Sequence, residues 1–176
     1  MTTETIARTT IPDRLDPSVF ARLLEEGYGP GAWHGADLRA ALADVSPASA
    51  FQRPAPGRHN IAEIALHHSW FVRSVTAQLS GREANPFPID GSDWFELSER
   101  GPLSWQDVLR TVEEHQRGLE AVVHEMASGA RESALPMSER FDLVLGITCH
   151  AIYHAGQVQL IKVLGSQPEG GSGSVI

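Results

Sequence analysis

The sequence predicts an all-α protein, a four-helix bundle with a short extra helix in its N-terminal part. Three observations predict it. Apolar residues recur three and four apart over three long segments, the spacing of one face of an α-helix. Those segments carry start and stop signals: capping residues before them, glycine after them. No stretch alternates apolar with polar residues as a half-buried strand does.

The elements follow in order. Residues 1–12 read as a flexible leader ending at Pro12. Asp16 and Pro17 are an N-cap acid followed by a proline at the first helical position. Val19, Phe20, Leu23 and Leu24 make the helix amphipathic, and Gly27 is expected to stop it. Tyr28–Gly35 is too rich in glycine and proline for anything but a loop. A short helix is expected over Ala36–Asp44, with Leu38, Ala41 and Leu42 on one side. Ser46–Arg58 holds three prolines and a glycine and reads as a second loop.

Asn60 and Glu63 form a capping box at the head of the first long helix. Its stripe is Ile61, Ile64, Ala65, His68, Val72, Val75 and Leu79, and Gly81 closes it. Residues 82–102 are a long connection, which Phe87, Trp94 and Phe95 are expected to pack. Ser104 caps the second long helix, with Leu103 and Val108 placed as a hydrophobic staple. Its stripe is Trp105, Val108, Val112, His115, Leu119, Val122 and Met126, and Gly129 marks its end. The third long helix is expected over Ser138–Leu164, ending at Gly165. Residues 166–176 read as a flexible, glycine- and serine-rich tail.

At 176 residues the chain is expected to form a single domain over 13–165. The formal net charge of −8 argues against nucleic acid and against an anionic membrane surface as partners. No apolar run approaches a membrane span, and the polar, threonine-rich residues 1–10 are not expected to act as a signal peptide. A single cysteine, Cys149, excludes an intramolecular disulfide, and a cytoplasmic location is the simplest expectation. Cys149 itself reads as inert packing in a helix.

The chemistry gathers at His150 and His154. Residues four apart on a helix lie one above the other, so these imidazoles share a face with Ile147, Ala151, Val158 and Ile161. A lone histidine on such a face is a core residue with a satisfied hydrogen bond; a pair at this spacing points to a metal. A third ligand must come from another helix. His68 falls in the middle of its apolar stripe and His67 on the flank, beside Ile64 and Phe71. Periodicity favours His68; an open coordination position beneath a pocket favours His67. His115 points at the core as a pocket wall or supporting group. His34, His59 and His124 read as loop or surface residues, with His34 in reach of the pocket mouth. Glu63, one turn before His67, is first a capping residue and second a candidate general base. Gln157 is placed to bond across helices.

Two segments carry a resemblance. Asn60-Ile-Ala-Glu-Ile-Ala-Leu-His67 is like the S-I-x-E-hydrophobic-x-x-H segment of the DinB/YfiT-like superfamily of bacterial metal-binding bundles. His150-Ala-Ile-Tyr-His154-Ala-Gly-Gln157 is like its H-x-x-x-H-x-G-Q segment, and Trp33-His34-Gly35 is similar to a W-H-G found in some members. The resemblance spans roughly residues 15–165 and implies a three-histidine site of His67, His150 and His154. It implies a divalent transition metal, zinc or nickel, and a homodimer. It also implies a hydrolase or a low-molecular-weight-thiol S-transferase acting on a small-molecule substrate. A non-catalytic, metal- or ligand-binding stress-response protein is the other reading. His68, where many members have no second histidine, His115 and Gln157 are then expected in the pocket or behind the ligands.

Overall fold

The computed structural model describes residue 11, residues 15–16 and residues 18–165. The expectations for the leader 1–12, for Pro17 and for the tail 166–176 lie outside the described residues, apart from position 11. Every element among the described residues is helical: α1 (Ser18–Tyr28), α2 (Leu38–Ala43), α3 (Pro47–Phe51), α4 (Ile61–Ser80), α5 (Trp105–Ala127) and α6 (Met137–Gly165). Four of them make the bundle. α4 lies between α5 and α6, and α1 closes the ring against α6 and α5. The short α2 packs on α6, and α3 on α4.

The helix starts are set by local chemistry. Asn60 accepts from the Glu63 amide at 2.9 Å while Glu63 reaches back to the Asn60 amide at 3.4 Å. Ser104 and Asp107 repeat the arrangement at α5. Each box satisfies amides that the first helical turn leaves unbonded. Gly81, at φ +67°, ends α4 in the left-handed conformation that only glycine adopts without strain.

Two expectations change. α1 continues through Gly27 to Tyr28. Gly27 is there for proximity: a β-carbon on it would stand 3.0 Å from the Ala151 β-carbon and 3.2 Å from the Thr148 carbonyl oxygen, so α1 and α6 touch at backbone distance. The chain leaves helical geometry further on, where Gly31 takes φ +88°. The second change is α3, inside a stretch read as loop. Ser46 accepts from the Ser49 amide and Pro47 occupies the first turn, the same serine-or-acid plus proline start that Asp16 announces for α1.

The core falls into two apolar clusters. One gathers Ile61, Ala62, Ile64, Ala65 and Leu66 of α4, Trp105, Val108 and Val112 of α5, and Ala151, Ala155 and Val158 of α6. The other gathers Val72, Val75 and Leu79 of α4, Leu119, Val122 and Val123 of α5, and Val144 and Ile147 of α6. Between them along the helices stand buried polar residues: His67, His68 and Ser69 on α4, Gln116 on α5, and Thr148 on α6. Burying such groups costs free energy unless each finds a partner. The bundle therefore carries a polar layer across its middle, and that layer positions the site.

No helix among the described residues is long and apolar enough to cross a membrane.

Candidate metal centre

His67, near the middle of α4, and His150 and His154, one turn apart on α6, turn their rings toward one another. The Nε2 of His150 lies 3.3 Å from that of His67 and 3.1 Å from that of His154. Ligand atoms of the three rings all lie within 4.8 Å of one another, a group that can hold a metal ion.

The other nitrogen of each ring is committed elsewhere. His67 donates from Nδ1 to the Asp93 carbonyl at 2.6 Å. His154 donates from Nδ1 to Oε1 of Gln157 at 2.6 Å, and Gln157 in turn donates to the Tyr153 hydroxyl at 3.1 Å. With their protons spent on Nδ1, these two rings present bare Nε2 lone pairs to the centre. His150 meets Nδ1 of His68 with its own Nδ1 at 3.0 Å.

This donor set fits a divalent transition metal. Two imidazole nitrogens bound to one tetrahedral zinc stand about 3.3 Å apart, given bonds of roughly 2.0–2.1 Å. The two separations from His150, 3.3 and 3.1 Å, are close to that spacing. Without a metal, a proton on Nε2 of His150 can be shared with the other two rings; a bound cation would take that proton's place.

All three rings are neutral near pH 7. Burial pushes His150 down to about 3, and the neighbouring His154 and His67 rings push the same way. Burial likewise pushes His154 down to about 4, against the bond to Gln157. His67 is lowered as well, mainly by burial, with the Asp93 carbonyl opposing. The unfolded chain therefore takes up protons below about 6.5 that the folded, metal-free chain refuses. Stability is complete above that pH and is lost as pH falls toward the folded values. Two such groups approach ~2.7 kcal/mol per pH unit. Partial exposure screens this, so chelator-treated protein should lose about 1–2 kcal/mol between pH 6.5 and 5 in urea denaturation. A flat profile would contradict it; His150→Gln should flatten the slope.

A long connection completes the wall. Trp94 stacks on His67 at 3.8 Å between centroids, and on its other face on His59 at 3.7 Å, both within 10° of parallel. His59 donates from Nδ1 to Oε2 of Glu63 at 2.9 Å, so its Nε2 is the nitrogen left for the cleft. Glu63 is fully buried and does not line the cleft; it accepts from the Leu97 amide at 3.0 Å and pairs with Arg53. Its contact with the cleft runs through His59. Above the three histidines lies an open cleft of about 590 Å³, lined also by Arg58, His59, Trp94, Tyr153, Gln157 and Leu160.

The remaining sequence candidates fall as follows. His68 is buried and backs His150 from inside the bundle; burial holds it neutral. Its own Nε2 has no hydrogen-bond partner among the described residues, and it borders a small hollow with Gln116 and Thr148. His115 bonds to Ser69 at 2.7 Å, stacks on Phe87 and lines a different hollow, beside Arg73 and Glu114. The residue of α5 that reaches the core centre is its neighbour Gln116. Gln157 bonds within α6 rather than across helices. His34 donates to the Glu26 carbonyl at 2.8 Å, away from the cleft. Cys149 is exposed on α6 rather than packed. Trp94 and His59 carried no periodic signal; only the four-residue step from His59 to Glu63 hinted at their pairing.

An all-helical bundle with three histidines converging from two neighbouring helices defines a class of metal-site proteins. The chain belongs to the DinB superfamily, whose family model matches residues 32–158. That match includes α2 to α5, all three histidines and most of the cleft. Comparison with curated proteins and with solved structures gives no match.

Proposed function

We propose that the protein is a metal-dependent enzyme, a hydrolase or a low-molecular-weight-thiol S-transferase, that acts on a small molecule through His67, His150 and His154. The observation that carries this reading is the pairing of three converging Nε2 atoms with an open cleft. Three protein ligands beside an opening are the pattern of a catalytic site; a fourth would make it closed and structural. Neither His68 nor His115 supplies that fourth, because neither lines the cleft: His68 lies behind His150 and His115 lines a different hollow. Zinc or nickel bound there would lower the pKa of a coordinated water or thiol toward neutrality.

The chain's own residues do the rest. Asp93 and Gln157 hold two rings in the ligating tautomer. Trp94 shields His67 from solvent and gives an aromatic wall for a substrate. His59, oriented by Glu63, offers a nitrogen at the cleft that can take or give a proton. A reducing compartment, the cytoplasm, suits the free and exposed Cys149.

Elemental analysis of purified protein, then assays of the metal-loaded form with a panel of thiols and electrophiles, tests the reading. Stoichiometric zinc or nickel and turnover are expected. Protein that neither holds nor takes up metal would sink it. Turnover indifferent to every thiol would exclude transfer and leave hydrolysis.

We also propose a homodimer paired through α6. Tyr153, Leu160 and Leu164 share one face of that helix and are 64%, 59% and 54% exposed, an apolar strip that forms the rim and one wall of the cleft. Light scattering should give twice the chain mass; a monomer would refute the pairing.

A further inference from the structure

The cleft differs in charge from the chain that forms it. The sequence holds 22 acidic against 14 basic residues, yet no aspartate or glutamate lines the cleft. Arg58 does line it. The backbone of Arg58 is held at both ends: its amide donates to the Ala55 carbonyl at 3.1 Å, and its carbonyl accepts from Arg53 at 2.5 Å. Its guanidinium, by contrast, has no carboxylate partner among the described residues. The neighbouring cation, Arg53, is already neutralised by Glu63.

The charged groups on the surrounding elements do not cancel Arg58. Glu63 is fully buried behind His59 and engaged by Arg53, His59 and two backbone amides. Asp93 faces His67 from outside the cleft, and its carboxylate accepts from the Ser92 hydroxyl at 3.3 Å. The other walls are aromatic or aliphatic: Ile64, Trp94, Leu160, Ile161 and Leu164. A guanidinium presents a planar fork that matches a carboxylate with two parallel hydrogen bonds. A histidine floor, an apolar wall and an arginine without a carboxylate partner therefore line one cleft of about 590 Å³, a size that suits a small organic ligand.

We propose that the cleft takes a small amphipathic acid, with its apolar body against Trp94 and the α6 leucines and its carboxylate on Arg58. The opposite end meets the three histidines, and that end alone rests on the metal-site reading. Arg58 is thus the residue that selects acids over neutral molecules of the same shape.

Calorimetric titration of two matched ligand pairs tests this. On zinc-loaded protein, mercaptohexanoate is compared with mercaptohexanol; on metal-free protein, octanoate is compared with octanol. In both pairs the acid should bind more tightly, and added salt should narrow the difference. Arg58→Gln should weaken the acid about tenfold and leave the alcohol within about twofold, the loss expected for one charge-assisted pair. Arg58→Lys should restore part of the preference. Arg58 is exposed, so these variants keep the fold. Equal binding of acid and alcohol, or an equal loss of both in Arg58→Gln, would overturn the proposal. If zinc is not taken up, the metal reading fails, and the metal-free pair still decides the role of Arg58.

Discussion

His150→Ala is expected to leave a folded protein that no longer retains metal. His150 is the ring that links the other two, with its Nε2 near both of theirs. Burial also pushes its ring down to about 3, below the value of about 4 for His154, so it is a deprotonated donor at neutral pH. A structural zinc site is worth about 10–16 kcal/mol over four ligands, so one ligand accounts for roughly a hundred- to thousandfold in affinity. His154→Ala and His67→Ala should behave alike. His68→Ala should weaken metal binding only about 10–100-fold, because it removes the group behind His150 and not a donor to the centre. Plasma emission analysis after dialysis reads all four variants. Full metal content in His150→Ala would contradict the triad. Total loss in His68→Ala with retention in His67→Ala would move the third donor to His68.

The second large effect is expected at Glu63. Its carboxylate is fully buried and gathers the Leu97 amide, the Asn60 amide, the His59 ring and Arg53. Arg53 and His59 are themselves 38% and 46% exposed, so water can replace much of what they lose. The two backbone amides have no such recourse. An unsatisfied buried amide costs about 1–3 kcal/mol, so Glu63→Ala should lose about 3 kcal/mol in all. For a chain of this size that lowers Tm by about 6–12 °C. Glu63→Gln keeps an acceptor and should lose less; His59→Ala should lose little. Thermal melts monitored by circular dichroism decide it, and a Tm for Glu63→Ala within about 2 °C of the parent would show that the carboxylate is dispensable.

Much of the fold was legible because it rests on local chemistry. The capping box at Asn60, the glycine after Ser80 and the stripe from Ile61 to Leu79 each follow from spacing alone. The proximity of His150 and His154 follows from the helical repeat. What was not legible depends on where distant segments come to rest. Gly27 looked like a stop because glycine ends helices; its true reason is Ala151 on another helix. The prolines of 46–58 hid a helical turn that Ser46 and Pro47 announce together. His115 and Gln116 differ by 100° on the helix, and the centre of the stripe was misjudged by that one step. Above all, nothing periodic in residues 82–102 says that Asp93 will meet His67 or that Trp94 will lie between two imidazoles.

That connection also joins the site to the fold. Within five residues, 93–97, it holds His67 through a carbonyl, covers it with an indole, and bonds both members of the α4 capping box through Leu97. Loops of this kind open more readily than the helices they rest on. Each opening would free the His67 ring to turn and expose the start of α4. Residues 93–97 therefore tie the wall of the site to the start of the helix that carries His67, so a change there reaches both at once.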